Sequence, residues 1–591
     1  MKRSSHLTAC GQNQAPLGQQ HDLPTAGPGK RPNIVFVLVD DQDLHLQSMD
    51  YLPLIKKHLG DHGTTFSKHF CTTAVCCPSR VSLWTGMLAH NTNVTDVHPP
   101  YGGYPKFVRQ GLGDRYLPVW LQQSGYNTYY TGKLFNAHTV DNYNDPFVPG
   151  WTGSDFLLDP YTYSYLNATY QRNRDPPVSY EGQYTIDVLA EKAYGFLDDA
   201  VASDKPFFLV AAPIAPHSNV DPNALVGKPD IIDIIRAFSA PIPAKRHEHL
   251  FEDAKVPRTD NFNPDEPLGA GWIKTLPKQS QQNIDFNDHF YRQRLRSLQS
   301  VDELVEGLVE RLDRAGILDN TYIFYTSDNG YHIGQHRLNP GKECGFDEDI
   351  NVPLIIRGPG VPRNASTSIV TTHPDLAPTI LELAGSTRGL PPSVVLDGAR
   401  IPLDGAGIMA AERTRHEHTA VEFWGRAAAE GKAFDGQHSV YENNTYKGLR
   451  IVSEEWNLYY SVWCNGEHEL YDSQTDPGQM RNLLEDSQHG SAKINGHAVD
   501  KIAARLDALL LVLKSCKGEA CVRPWLSLHP QGNVNSLSGA LSPRFDGFYE
   551  EEQVKVRYDR CELGYILESE GPQFETDGVA YWYDVHWSEW T

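Results

Sequence analysis

Residues 34–39 (IVFVLV) form an unbroken run of β-branched and large apolar side chains that stops abruptly at Asp40-Asp41-Gln42-Asp43. A strand with one wet face alternates polar and apolar residues, so an uninterrupted run reads as a strand covered on both faces, as in a parallel sheet flanked by helices. Open sheets of that kind bind ligands beyond the carboxyl ends of their strands, which makes the acids after Val39 candidate binding residues. Other segments fit the same plan. Residues 117–123 read as a short helix stopped by Gly125, and 126–131, 207–212 (FFLVAA) and 322–326 (YIFYT) as strands. Leu304, Val305, Leu308, Val309 and Leu312 recur at helical spacing, predicting an amphipathic helix over 301–315. The expected fold is α/β, with a large, mostly parallel central sheet flanked by helices.

Residues 1–30, rich in Gln, Gly and Pro, read as a disordered tail, and the main α/β domain is expected over 31–415. Beyond it, strand-like pieces at 420–423, 447–452, 457–463 and 469–471 predict a smaller C-terminal subdomain, 416–591, built on an antiparallel sheet with an irregular tail from Val522 onward. Seventy-four acidic residues against 52 basic ones give a net charge of −22, which argues against nucleic acid as a partner, since phosphate-backbone binding needs clustered Lys and Arg. No apolar run approaches the roughly 18 residues of a membrane span. A small anion remains a candidate ligand, because a local pocket can be positive on a negative protein.

The sharpest local string is Cys76-Cys77-Pro78-Ser79-Arg80-Val81-Ser82-Leu83-Trp84-Thr85-Gly86. Taken alone, a vicinal cysteine pair before proline is equally a structural disulfide, a buried thiol, a metal ligand or a reactive site. A second string, Gly125-Tyr126-Asn127-Thr128-Tyr129-Tyr130-Thr131-Gly132-Lys133, places a lysine just past a strand. Asp40-Asp41 and Asp328-Asn329 lie at the ends of two apolar strands and offer three carboxylates and an amide, hard oxygen donors suited to Ca²⁺ or Mg²⁺. Singly, Asp328-Asn329-Gly330 is also an ordinary Asx turn. His217 follows the third strand, in Ala215-Pro216-His217, and Lys342 lies fourteen residues beyond Asp328.

In this order the strings resemble the sulfatases. The Cys-X-Pro-Ser-Arg...Thr-Gly signature of that family matches from Cys76, the Gly125–Lys133 string resembles its second signature, and Glu469-Leu470-Tyr471-Asp472 with Asp476-Pro477 and Asn482-Leu483 resembles its C-terminal segment. The likeness runs from about residue 31 to about residue 525 and is strongest to fungal and algal arylsulfatases and to N-acetylglucosamine-6-sulfatases. It implies the alkaline-phosphatase-like sulfatase fold and hydrolysis of sulfate monoesters. It implies that Cys76 is oxidised to formylglycine (3-oxoalanine) by a formylglycine-generating enzyme. Ca²⁺, with Mg²⁺ as the alternative, is expected on Asp40, Asp41, Asp328, Asn329 and residue 76. Arg80, Lys133, His217 and Lys342 are the expected catalytic partners. Two departures stand out. Phe346-Asp347 replaces the usual Tyr-Glu, and no histidine lies two places after Lys133, which leaves Asn136, His138 or neither to orient the nucleophile.

Other readings are a carbohydrate sulfatase, a phosphomonoesterase or phosphonate hydrolase, and a non-catalytic anion-binding relative. Two-metal phosphatases need a second ligand set, which the sequence does not offer convincingly. Sequons at Asn93, Asn167, Asn364 and Asn443 and the closely spaced Cys516 and Cys521 favour a secreted glycoprotein, although residues 1–30 lack the apolar run of a signal peptide, and the resemblance to fungal arylsulfatases implies sulfur scavenging as its role. An intracellular location is the alternative.

Overall fold

A computed structural model describes residues 30–570 apart from 226–236, 387–389, 391–393, 433, 435, 486–491 and 559. The tail expected at 1–30 lies outside the described residues except for Lys30.

A ten-stranded sheet organises the chain. In chain order its strands are β1 (Asn33–Val39), β2 (Thr64–Phe66), β3 (Asn127–Gly132), β4 (Gly153–Leu157), β5 (Thr169–Arg172), β6 (Val178–Ser179), β7 (Phe207–Ala212), β8 (Thr321–Ser327), β9 (Leu354–Arg357) and β10 (Ala365–Thr367). Their spatial order is β10-β2-β9-β8-β1-β7-β3-β4-β5-β6. The five strands β8, β1, β7, β3 and β4 run parallel, and antiparallel pairs join them to both edges. The sheet is therefore mixed, with a parallel centre.

β1 shows why its run is unbroken. Ile34, Phe36 and Leu38 enter one core with Val81, Leu83 and Trp84 of α1 (Cys76–Thr85). Val35, Val37 and Val39 enter the opposite core, against α2 (Thr185–Val201) and α3 (Gln281–Arg314). Period-two alternation thus serves two apolar layers rather than one.

α3 is longer than the helix expected over 301–315. It begins at a Ser280 capping box closed by Asn283 and runs for 34 residues. Its first half buries Asn287, Asp288, Arg294 and Ser297, polar groups that interrupt the apolar period on which the sequence reading relied.

After the main sheet come four antiparallel strands, β11 (His418–Phe423), β12 (Tyr446–Val452), β13 (Asn457–Trp463) and β14 (His468–Asp472), paired in that order. α4 (Val499–Leu513) covers them, and its Leu506, Leu509 and Leu510 share a core with Trp525, Leu528, Leu537 and Phe548. The described chain from Val522 to residue 570 is therefore not the irregular tail expected from its Gly, Pro and acid content, and residues 571–591 lie outside the described residues. Short helical turns fold back onto α4 and bury Trp525, Phe545, Phe548 and Tyr549 against it. Disulfides Cys464–Cys561 and Cys516–Cys521 pin this region, while Cys71, Cys76, Cys77 and Cys344 are free and buried.

A buried ion pair docks the antiparallel layer on the short helix Ala89–Thr92 that follows α1. His90 Nδ1 lies 2.9 Å from Glu422 Oε2 and Nε2 lies 2.7 Å from the Cys516 carbonyl oxygen, an arrangement in which both ring nitrogens must donate and the imidazole is charged. Burial opposes that charge, but Glu422 prevails and raises the His90 pKa. Burial likewise opposes the Glu422 carboxylate, and His90 and Lys447 together hold it down to about 2. The pair therefore contributes fully between the ordinary Glu and His values. Its contribution falls away as pH drops toward 2 and as pH rises through the elevated His90 value. Glu422→Gln is expected to cost roughly 3 kcal/mol near pH 5.5. Denaturant titrations across pH should show the gap from the parent shrinking on both sides, and a pH-independent gap would refute the account.

Candidate active site

Register delivers the site. Val39 pairs with Ser327, so Asp40 and Asp328 leave β1 and β8 side by side. Gly132 pairs with Ala212, which brings Lys133 to the same edge. Gly132 is required there: at φ +110° a Cβ would stand 2.1 Å from the Ala212 carbonyl oxygen. Asp41 turns the chain in the left-handed region (φ 65°), a sparsely populated conformation for a non-glycine residue. Arg294 of α3 clamps this turn, donating to the Asp41 carbonyl (2.5 Å), the Pro216 carbonyl (3.2 Å) and Asp43 Oδ1 (3.2 Å).

Cys76 opens α1 and faces these strand ends. Its sulfur lies 3.5 Å from Asp40 Oδ1 and 3.8 Å from Asp41 Oδ1. Ser79, one turn on, fastens the helix by donating to the Asp328 carbonyl (2.5 Å) while its oxygen lies 2.8 Å from His373 Nδ1. Arg80 Nε donates to Asp328 Oδ2 (2.7 Å) and Nη1 to the Lys133 carbonyl (2.6 Å). Lys133 Nζ donates to both Asp40 oxygens at 2.8 and 2.7 Å. Lys342 Nζ reaches Asp41 Oδ2 at 2.6 Å, and Asn329 Nδ2 reaches Asp41 Oδ1 at 2.8 Å. His217 Nδ1 donates to the Ser218 carbonyl (2.8 Å), which leaves Nε2 facing Asp41 Oδ2 at 3.6 Å. Cys76, Arg80, Lys133, His217, Lys342, Asp40, Asp41, Asp328 and Asn329, singled out from the sequence, meet here.

The electrostatics reflect crowding. Burial, then Asp328, push Asp40 up to about 6 despite Lys133 and Arg80. Burial would raise Asp328 too, but Arg80 and Lys133 hold it well below the usual carboxylate range. Burial drives the Cys76 thiol far above its ordinary value, overcoming both lysines, so the unmodified side chain is a poor nucleophile. A divalent cation fits this donor set. It would relieve the Asp40–Asp328 repulsion and satisfy Asn329 Oδ1, a buried acceptor with no hydrogen-bond partner among the described residues. The acid and cysteine side chains are close enough to share such an ion, since ligand atoms of Asp40, Asp41, Cys76 and His217 all lie within 4.8 Å of one another.

The Asn136 and His138 alternatives separate clearly. His138 is buried against the Tyr104 and Phe156 rings, at 4.4 and 5.3 Å, and burial pushes its pKa down to about 3. Asn136 instead donates to the Tyr163 hydroxyl (2.7 Å), and that ring stacks on His217 at 4.0 Å. Phe346, in place of the usual tyrosine, stacks on His336 at 3.8 Å, and Asp347 accepts from Arg450 at 3.0 Å. A second buried group, His332, Cys344 and Asp349, is internally satisfied. Asp349 accepts from His332 Nδ1 at 2.8 Å and from the Cys344 amide at 2.8 Å.

Three contributors escaped the sequence reading: Arg294, Tyr163 and Glu430. Glu430 accepts from Lys342 Nζ (2.6 Å), Ser218 Oγ (2.7 Å) and Tyr331 Oη (3.2 Å), and its Oε1 lies 3.9 Å from His217 Nε2. No motif announces it, and 88 residues separate it from Lys342.

The profile of the family described as Sulfatase matches residues 32–386. An arylsulfatase of Volvox carteri is 41% identical over 554 residues, covering 89% of this chain and 81% of the relative. An N-acetylglucosamine-6-sulfatase of Capra hircus is 32% identical over 84% of this chain and 85% of its own length. Among solved structures, a putative sulfatase from Bacteroides fragilis superposes with a TM-score of 0.60 at 20% identity, over 85% of this chain and 97% of that one. Register, charge and ancestry agree, and the chain belongs to the sulfatase family as a sulfuric ester hydrolase.

Proposed function

We propose that this sulfatase acts on aryl sulfate esters through an oxidised Cys76 and a bound Ca²⁺, with Mg²⁺ as the alternative ion. The carrying observation is the placement of Cys76 at the opening of α1, within 3.8 Å of two strand-end carboxylates and beside buried cations. Asp40, Asp41, Asp328 and Asn329, together with the residue-76 side chain, would hold the ion. It would supply Lewis acidity toward the sulfate oxygens and lower the pKa of a hydroxyl on residue 76. Oxidation of Cys76 by a formylglycine-generating enzyme would give an aldehyde whose hydrate carries two hydroxyls on one carbon, one to attack sulfur and the other to expel sulfate afterwards.

The remaining chemistry belongs to side chains already in position. Lys133, Lys342 and Arg80 surround the anion with charge fixed by buried carboxylates, so they need not reorganise as charge builds on the leaving oxygen. His217 has its Nδ1 committed to the Ser218 carbonyl, which leaves Nε2 as the nitrogen able to pass a proton to the departing phenol. Asn136 acts indirectly, by holding Tyr163 against the His217 ring. An aryl leaving group suits the walls near His217, where the Tyr163 and Phe238 rings lie 4.0 and 6.1 Å from the imidazole. The resemblance to an arylsulfatase at 41% identity supports the same preference.

A secretory route accords with the two disulfides, which persist in oxidising compartments, and with the exposed sequons Asn364 and Asn443. No helix among the described residues is long and apolar enough to cross a membrane.

Cys76→Ala is expected to lower p-nitrophenyl sulfate turnover by at least about 10³-fold with an unchanged melting temperature. Retained turnover would overturn the nucleophile assignment, and the mass of the parent Cys76 peptide should match the aldehyde rather than the thiol. Asp40→Ala should lower bound metal, measured by elemental analysis, in step with activity. An active variant with no bound metal would refute the ligand set.

A further inference from the structure

Glu430 has no part in the proposed bond-making steps, yet its carboxylate stands in the same buried site. The ionisable side chains there are unevenly matched. Asp40, Asp41, Asp328 and Glu430 bring four carboxylates, and Arg80, Lys133 and Lys342 bring three fixed cations, all nearly inaccessible to solvent. His217, protonated to serve the leaving group, and the hydroxyl of residue 76, ionised to attack sulfur, would cancel one another and add nothing to this count. The three aspartates are the proposed ligands of a divalent cation; Glu430 is not among them, and its oxygens accept from Lys342, Ser218 and Tyr331. Those donors keep it ionised: burial opposes the charge, but Lys342 and His217 hold the carboxyl down to about 2.

With a divalent cation in place, the fixed charges leave one net positive charge. A sulfate monoester is a monoanion and brings that count to zero. A phosphate monoester, whose second pKa is near 6, is largely a dianion at neutral pH and would leave an uncompensated negative charge in a region of low dielectric, which is costly. The product of the reaction, inorganic sulfate, is also a dianion.

We propose that Glu430 is the charge-selecting residue of this site: its carboxylate, held beside Lys342, subtracts one unit from the charge an anion meets, so that monoanionic esters are favoured while dianionic phosphate monoesters are rejected and dianionic sulfate is released. Selection of this kind works through a repulsive element built against the wrong ligand. It rests on the metal-dependent reading above. A purely structural role, holding Lys342 in place, predicts a different pattern, because losing it would weaken all anions together.

The test uses the full-length, Ca²⁺-loaded enzyme and four probes sorted by charge. p-Nitrophenyl sulfate and methyl p-nitrophenyl phosphate are monoanions; p-nitrophenyl phosphate and inorganic sulfate are dianions. In Glu430→Gln, which preserves shape, kcat/KM for p-nitrophenyl phosphate relative to p-nitrophenyl sulfate should rise by about tenfold or more, and product inhibition by sulfate should tighten similarly. The ratio of the two monoanions should stay within about threefold, and Glu430→Asp, which keeps the charge, should retain the parent ratios. Calorimetric titration of inorganic sulfate into Cys76→Ala and Cys76→Ala/Glu430→Gln reads binding without turnover and should show the same tightening. Equal shifts for monoanions and dianions, or unchanged sulfate binding, would overturn the proposal. If the glutamine variant does not fold, the parent enzyme still decides: methyl p-nitrophenyl phosphate must bind more tightly than p-nitrophenyl phosphate as a competitive inhibitor, and the reverse order refutes charge selection. Failure of the formylglycine reading would appear separately, as absent turnover of p-nitrophenyl sulfate by the parent, and leaves the calorimetric arm intact.

Discussion

Seven charged side chains meet at the carboxyl edge of one sheet, almost wholly out of water, and their mutual compensation is the constraint from which the rest of the site follows. None of them could be buried alone, since an unpaired ion in the interior costs several kcal/mol. Lys133 is tolerable because Asp40 accepts from it twice, Arg80 because Asp328 does, and Lys342 because Asp41 and Glu430 share it. The arrangement still leaves four carboxylates against three fixed cations, and that excess, together with burial and Asp328 raising the Asp40 pKa, suits the site to a divalent ion.

Holding such a cluster requires a rigid frame. The parallel centre of the sheet supplies it, because five neighbouring strands end at one edge and each strand end is fixed by its register with the next. Two apolar layers sandwich β1, so a slip of one residue would exchange its whole set of side chains between cores. The Arg294 clamp and the Ser79 anchor then set the loops and the helix opening to within hydrogen-bond distance. Fixed dipoles and charges of this kind stabilise a developing anion without having to reorient, which is where most of the catalytic advantage of a preorganised site lies.

Legibility in the sequence varied with the range of the interaction. The β1, β7 and β8 strands are readable from local apolar runs, and the chemistry of Cys76 and the placement of Lys133 just past a strand from short strings whose spacing is enforced within a few residues. Where burial was polar the reading failed. The apolar stripe in the first half of α3 is interrupted because Asp288 and Arg294 are buried there, bonded to loops distant in sequence. After Val522, turn-forming composition masked the aromatic residues that dock on α4.

The sequence by itself determined the strand ends, the string that carries Cys76 and the chemistry of the hard oxygen donors, because each depends on neighbours a few positions apart. Only the tertiary structure decided that Glu430 shares Lys342 with Asp41, that Tyr163 rather than a histidine backs His217, and that His138 belongs to an aromatic core. Those choices join segments tens to hundreds of residues apart. They are fixed by which loops the packed sheet brings together, and no local pattern of residues carries that information.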